Sequence, residues 1–320
     1  MSKYSDFKNE LLNYAYENKI PISGEFEITS NCNFNCEMCY AKTFESNLSK
    51  EDWFKIFSMA QKNGMLYALL TGGEIFSHPD FIEIYEYLYD LGVKVTLFTN
   101  GSLLNDMILD TIKKRPPELI AITLYGYDED SYKSFTKSDS FELVDKNIDL
   151  LISNNMNLLL RTIPLKSTYE ELDNIISYVK SKNLSLGYFL YVSKINSNTN
   201  RLNPSELLDF EKRIREAFEY KPSVYKSNCG AFRNGYFINH KGLMQGCPMM
   251  PYPSKKVGDD LMGVFLELQK EWMSMLEKSP CFDCELKNNC MTCVAKRYLE
   301  GNAFACSKYL KEIAKGVEKK

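Results

Sequence analysis

The sequence predicts an α/β protein: a parallel sheet flanked by helices, with a small cysteine-rich domain behind it. Two observations carry that prediction. Short apolar runs alternate with longer segments of helical periodicity between about residues 66 and 219. The cysteines are also split, with three near the front and seven in the last third, from Cys229 onward. Strands alternating with helices of these lengths argue for parallel pairing through right-handed crossovers.

Taken in order, Leu66-Tyr67-Ala68-Leu69-Leu70 is too short an apolar run for a typical helix, and it ends in Thr71-Gly72-Gly73-Glu74. That reads as a buried strand entering a glycine turn, with the Glu74 carboxylate at the strand end. Apolar spacing of Phe81, Ile82, Ile84, Tyr85 and Leu88 predicts a helix over 80–90, opened by Pro79, with His78 as a turn residue ahead of it. A strand over 93–98 closes in Thr99-Asn100-Gly101, and a helix follows over 103–112. The next strand, 119–124, ends Thr123-Leu124-Tyr125-Gly126. A helix over about 141–154 precedes a strand at 158–163 that carries Arg161. Residues 169–182 read as helix and 185–192 as a further strand. The Asn- and Ser-rich stretch 193–203 is the linker to a last helix over about 204–219.

Cys32, Cys36 and Cys39 stand as C-x3-C-x2-C. Three thiolates cannot complete the four-ligand shell that a closed zinc or iron–sulfur site prefers. A [4Fe–4S] cluster held by three cysteines leaves one iron open to a small molecule. Three structural thiols, or half of a zinc site, are the alternatives from spacing alone.

This spacing, with Gly72-Gly73-Glu74 about thirty residues on, resembles the radical S-adenosylmethionine (SAM) enzymes. The six strand–helix units then resemble that family's partial (β/α)6 TIM-like barrel. The resemblance implies that Cys32, Cys36 and Cys39 hold the catalytic cluster, whose open iron chelates the methionine end of SAM. It implies that the polar groups of Gly72, Gly73 and Glu74 hold the SAM amino group, and that Thr123 lies near the SAM ribose and methionine. Active sites of βα barrels lie at the carboxyl ends of the strands, where Asn100 and Arg161 also fall. Arg161 is the expected partner of the SAM carboxylate, since a guanidinium grips a carboxylate in two places. An ordinary strand-end ion pair is the alternative for it. Met38 departs from the aromatic residue many relatives carry before the third cysteine, and Tyr40 is expected to pack there instead.

The remaining thiols are Cys229, Cys247, Cys281, Cys284, Cys290, Cys293 and Cys306. Between the first two the chain reads as a hairpin, Tyr236-Phe237-Ile238 turning through Asn239-His240-Lys241-Gly242, with the glycine at positive φ. The gaps resemble the SPASM extension, which carries two auxiliary [4Fe–4S] clusters. By that resemblance Cys281, Cys284, Cys290 and Cys306 enclose one cluster, while Cys229, Cys247 and Cys293 hold the other, nearer the barrel. Relatives usually place three residues between the last two cysteines of the tight run, and this chain has two. Paired C-x2-C is also a zinc spacing, so zinc is the alternative here. An intracellular disulfide framework is disfavoured for so many thiols.

The expected division is a lead-in helix at 1–22, the barrel at 23–222, the SPASM domain at 223–312 and a solvated tail at 313–320. A chain of 320 residues with 44% hydrophobic content suits a barrel plus a smaller domain. A net charge of −3 gives no footprint for nucleic acid. No long apolar segment suits a membrane and no signal peptide opens the chain, so the expected location is cytoplasmic.

The implied function is a SAM-cleaving oxidoreductase that generates a 5′-deoxyadenosyl radical, fed by a donor such as flavodoxin or ferredoxin. The expected substrate is a ribosomally made peptide, oxidised or cross-linked. The alternatives are a small molecule (an amino sugar, tetrapyrrole or cofactor precursor) and, outside enzymes, an electron carrier or zinc-stabilised binding protein. About 31 residues precede Cys32, too few for the separate leader-recognition domain of many peptide-modifying relatives. Cys247 is followed by Pro248 rather than the acidic base of sulfatase-maturing relatives. With ten cysteines assigned as ligands, no thiol is left to return a hydrogen atom, which favours net oxidation over epimerisation.

Overall fold

A computed structural model describes residues 3–36, 38–39, 47–189, 191–193, 200–221, 229–281, 283–290 and 292–317. Helix α1 (Lys3–Asn18) leads into β1 (Ser23–Thr29). Five further strand–helix steps follow: α2 (Lys50–Lys62), β2 (Tyr67–Gly72), α3 (Phe81–Asp90), β3 (Lys94–Thr99), α4 (Asp106–Lys114), β4 (Leu119–Thr123), α5 (Glu129–Thr136), α6 (Phe141–Ser153), β5 (Leu158–Thr162), α7 (Lys166–Glu170), α8 (Leu172–Ser181), β6 (Leu186–Tyr188) and α9 (Pro204–Ala217). The C-terminal part adds β7 (Gly235–Ile238), β8 (Leu243–Cys247), β9 (Met250–Lys256), α10 (Leu261–Glu277), α11 (Val294–Leu299) and α12 (Lys308–Gly316).

Strands β1 to β6 pair in parallel and in chain order, the arrangement of a partial (β/α)6 barrel. Side chains alternate across each strand, and the two faces differ. Phe26, Ile28, Leu70, Leu97, Ile120, Ile122 and Leu160 are buried on the helix side. Phe26 shows why: its ring meets Trp53 and Phe57 of α2 edge-on, at 6.1 and 4.9 Å. The alternate positions Glu25, Leu69, Thr96, Phe98, Thr123 and Arg161 are only partly buried and face the concave interior. Charged residues inside an otherwise apolar parallel sheet mark where the chemistry sits.

The sheet does not stop at the expected domain boundary. β7 pairs in parallel with β1, and β8 and β9 continue it antiparallel, giving nine strands in one sheet. The β7–β8 turn is the expected hairpin, with Gly242 at φ 80°. Helix α10 covers the added strands, and its Trp272 meets Phe232 at 5.8 Å. The helix expected from residue 103 starts later, because the Asn105 side chain accepts from the Ile108 amide at 2.9 Å and caps it there. β6 is shorter than the apolar run that predicted it, although the Phe189 amide still donates to Thr162 O at 3.2 Å. The tail boundary at residue 313 falls inside α12, whose Ala314 is 2% exposed. Among the described residues no helix is long and apolar enough to cross a membrane.

Candidate active site

The ends of β1, β2 and β3 are tied into one loop cluster by the Gly72-Gly73-Glu74 turn. Its amides dock on the chain that leads to Cys32: Gly73 N donates to Thr29 O at 2.9 Å and Glu74 N to Asn31 O at 2.7 Å. A Cβ at Gly73 would stand 2.2 Å from Asn31 O, so only glycine permits this approach. Glu74 itself is fully buried. Its carboxylate accepts from Thr99 Oγ1 at 2.5 Å, Asn100 N at 2.6 Å and Phe76 N at 3.1 Å. Burial pushes its pKa up to about 7 against those three hydrogen bonds. The carboxylate expected at the SAM amino group therefore faces the protein, where satisfying buried strand-end donors has captured it. Asn100 extends the tie: its Nδ2 donates to Asn33 Oδ1 at 3.0 Å and approaches Cys32 Sγ at 3.9 Å.

Cys32, Cys36 and Cys39 lie together on the loop that this cluster supports. Burial, then the neighbouring Cys39 and Cys32, push the Cys36 thiol up to about 12. A thiol so placed becomes a thiolate only with a cation beside it. Cys32 Sγ already accepts the Phe34 amide at 3.4 Å. Phe34 is buried and meets Tyr125 and Tyr132 edge-on, both at 6.1 Å, which closes the floor of the loop to water. Tyr40 lies outside the described residues.

Arg161 rises from β5 into the interior, beside Thr123 in register on β4. Its guanidinium is sandwiched between the rings of Phe98, at 4.2 Å, and Phe189, at 4.0 Å. That stack fixes the plane of the fork. Across the interior stands Glu25, whose carboxyl burial pushes up to about 7 against the pull of Arg161. Deeper in, Glu27 Oε2 meets His240 Nδ1 at 2.7 Å, tying β1 to the β7–β8 turn.

The C-terminal thiols fall into two neighbourhoods. Cys247 lies within reach of the charges of Cys293, Cys229 and Glu25, and so belongs beside the barrel. Cys306 lies within reach of Cys281, Cys290 and Cys284. Cys247 Sγ accepts the Met249 amide at 3.3 Å, and Cys290 Sγ accepts the Thr292 amide at 3.4 Å. Among the described residues, no three His, Cys, Asp or Glu side chains converge as they would around one ion. In each of the three thiol neighbourhoods one sulfur accepts a backbone amide, the hydrogen bond that thiolate ligands of a cluster take, although the side chains are not gathered round a common centre.

A parallel barrel thus carries three thiols of one loop at its strand ends. Residues 26–179, just under half of the chain, match the radical SAM superfamily. The chain is 24% identical over 250 residues to the antilisterial bacteriocin subtilosin biosynthesis protein AlbA of Bacillus subtilis, covering 72% of this chain and 56% of that protein. The chain thus spans little more than half the length of that relative. It is 30% identical over 182 residues to an S-adenosylmethionine-dependent nucleotide dehydratase of Selenomonas ruminantium, covering 56% of this chain and 57% of that one. Among solved structures, Streptococcus suis SuiB bound to S-adenosylmethionine superposes with a TM-score of 0.75 over 96% of this chain and 82% of that chain, at 16% identity. SuiB is also solved bound to its precursor peptide SuiA, with a TM-score of 0.75. These structures share the fold over nearly the whole of this chain. The family implies SAM and a [4Fe–4S] cluster.

Sequence reasoning passed over Glu25, Phe98 and Phe189. A signal existed for the first: Gly24-Glu25-Phe26-Glu27-Ile28 alternates charge with apolar residues inside a buried strand.

Proposed function

We propose that this protein is a radical SAM/SPASM oxidoreductase that oxidatively modifies a ribosomally made peptide. The single observation that carries the oxidative part is the grouping of the thiols into an open front set and two further sets reaching back from the barrel. Cys32, Cys36 and Cys39 would hold the front cluster, and Cys229, Cys247 and Cys293 the inner one. Cys281, Cys284, Cys290 and Cys306 would hold the outer one. Together, SAM and the front cluster supply a carbon-centred radical able to take hydrogen from an unreactive carbon. Arg161 would orient the SAM carboxylate, Thr123 would lie along its ribose, and the Gly72–Gly73 backbone would face its amino group. The Phe34, Tyr125 and Tyr132 rings exclude water beneath.

Support for a peptide comes from the subtilosin biosynthesis relative and from SuiB with its precursor peptide. A small-molecule substrate is the second reading, favoured by the 30% identity to a nucleotide dehydratase. Reaction with a short peptide encoded beside this chain tests the choice. A product lighter by two hydrogens, with one SAM consumed per event, is expected. An unchanged mass carrying one solvent deuterium at carbon would show epimerisation instead.

A further inference from the structure

Helix α11 brings two cations to the outer thiols, and one of them touches a sulfur. Arg297 is 1% exposed. Its Nη1 donates to Cys281 Sγ at 2.7 Å and to Thr292 O at 3.4 Å, and its Nε to Ala303 O at 2.7 Å. Those two carbonyls fix the guanidinium plane so that one N–H edge points at the sulfur. Nη2 has no hydrogen-bond partner among the described residues. A buried guanidinium so placed is costly unless negative charge lies beside it.

Lys296, next on the helix, is placed differently. It lies within reach of Cys293 of the inner set, Cys290 of the outer set and Glu211 of α9. Its Nζ stands 5.4 Å from the Tyr191 ring. All of these residues, with Cys281, Cys306 and Arg297, line one cavity. The ammonium therefore acts on both sets, whereas the Arg297 hydrogen bond reaches the outer set alone.

We propose that Arg297 sets the reduction potential of the outer cluster through its N–H···Sγ bond to Cys281, making that cluster the electron-accepting end of the C-terminal pair. The inference rests on the iron–sulfur reading of these thiols. A cluster with four thiolate ligands is a dianion when oxidised and a trianion when reduced, so a fixed cation beside one sulfur favours the reduced form. Hydrogen bonds to the sulfurs act in the same direction. Arg297 is a positioning residue, since it acts through Cys281.

The test is a potentiometric titration of the reconstituted full chain, followed by electron paramagnetic resonance, in wild type, Arg297→Met, Arg297→Lys and Lys296→Met. Arg297→Met is expected to lower the outer potential so that its ratio of reduced to oxidised cluster at fixed potential falls tenfold or more, about 59 mV for one electron. The front and inner potentials stay in place. Arg297→Lys restores part of the shift, and Lys296→Met moves both C-terminal clusters. If Arg297→Met does not retain the outer cluster, Arg297→Lys decides by itself. A partial downward shift of the outer potential alone supports the proposal, and an unchanged potential overturns it. Equal shifts of all clusters in either Arg297 variant also overturn it. Zinc in place of iron at the outer thiols would instead remove the underlying reading.

Discussion

The backbone amide of Asn100, at the end of β3, donates to Glu74 Oε2 at 2.6 Å, so the carboxylate of one strand end organises the next. A glutamine at position 74 would set an amide nitrogen against Asn100 N in one orientation and against Phe76 N in the other. Glu74→Gln should therefore cost about 1–3 kcal/mol. Cluster content should be retained and SAM affinity should fall. Denaturation and SAM binding measured on the same preparation check this; wild-type stability and affinity would make Glu74 an ordinary turn residue.

The raised pKa of Glu74 has a pH signature. Between its unfolded value of 4.5 and the folded value of about 7, the folded chain keeps a proton that the unfolded chain has released. Stability therefore falls as pH rises through that window, by an amount on the order of 3 kcal/mol, and levels off above it. Glu74→Gln should flatten that slope, leaving the contribution of Glu25, which is raised in the same direction. A slope identical in the variant and the wild type would contradict the assignment.

Arg161 sits between two rings as a planar cation, a place an ammonium does not fill. Arg161→Lys should weaken SAM binding about tenfold or more, roughly 1.4 kcal/mol, with iron content unchanged. Anaerobic calorimetry reads the affinity directly. Wild-type affinity would assign Arg161 to Glu25 alone.

The two halves are held by a buried pair. Arg201 Nη2 meets Glu300 Oε1 at 2.7 Å, with the side chains 6% and 1% exposed, and Tyr191 donates to the same oxygen at 2.8 Å. The Arg201 guanidinium lies 3.3 Å from the Tyr309 ring centroid. Arg201→Met should cost about 3–5 kcal/mol by leaving Glu300 buried without its cation. Hydrogen exchange should rise first in α11 and α12. A loss under about 1 kcal/mol would show that the shared sheet and apolar packing join the halves without help from this pair.

What was legible in the sequence was local. The front thiols share one loop, and the strand ends announce themselves by Thr99-Asn100-Gly101 and Gly72-Gly73-Glu74. What was not legible depends on register. Phe98 on β3 reaches Arg161 across β4, and Phe189 reaches it from the end of the neighbouring β6, and nothing in their own neighbourhoods says so. The β7 pairing to β1, which carries His240 to Glu27, is equally non-local. Glu74 reads as a site carboxylate in sequence, yet the unsatisfied amides of the next strand end claim it once the sheet forms. Arg297 stands one helical turn beyond Cys293, but its bond goes to Cys281, across a turn whose path spacing does not give.

The central claim, that the ten thiols hold three clusters in three sets, is tested most directly by metal analysis with Mössbauer spectroscopy on anaerobically reconstituted protein. The account predicts close to three [4Fe–4S] clusters per chain. It also predicts two in the chain carrying Cys32→Ala, Cys36→Ala and Cys39→Ala together, and loss of the inner cluster in Cys293→Ala with deoxyadenosine formation retained. Iron at the front alone, with zinc at the C-terminal thiols, would contradict it.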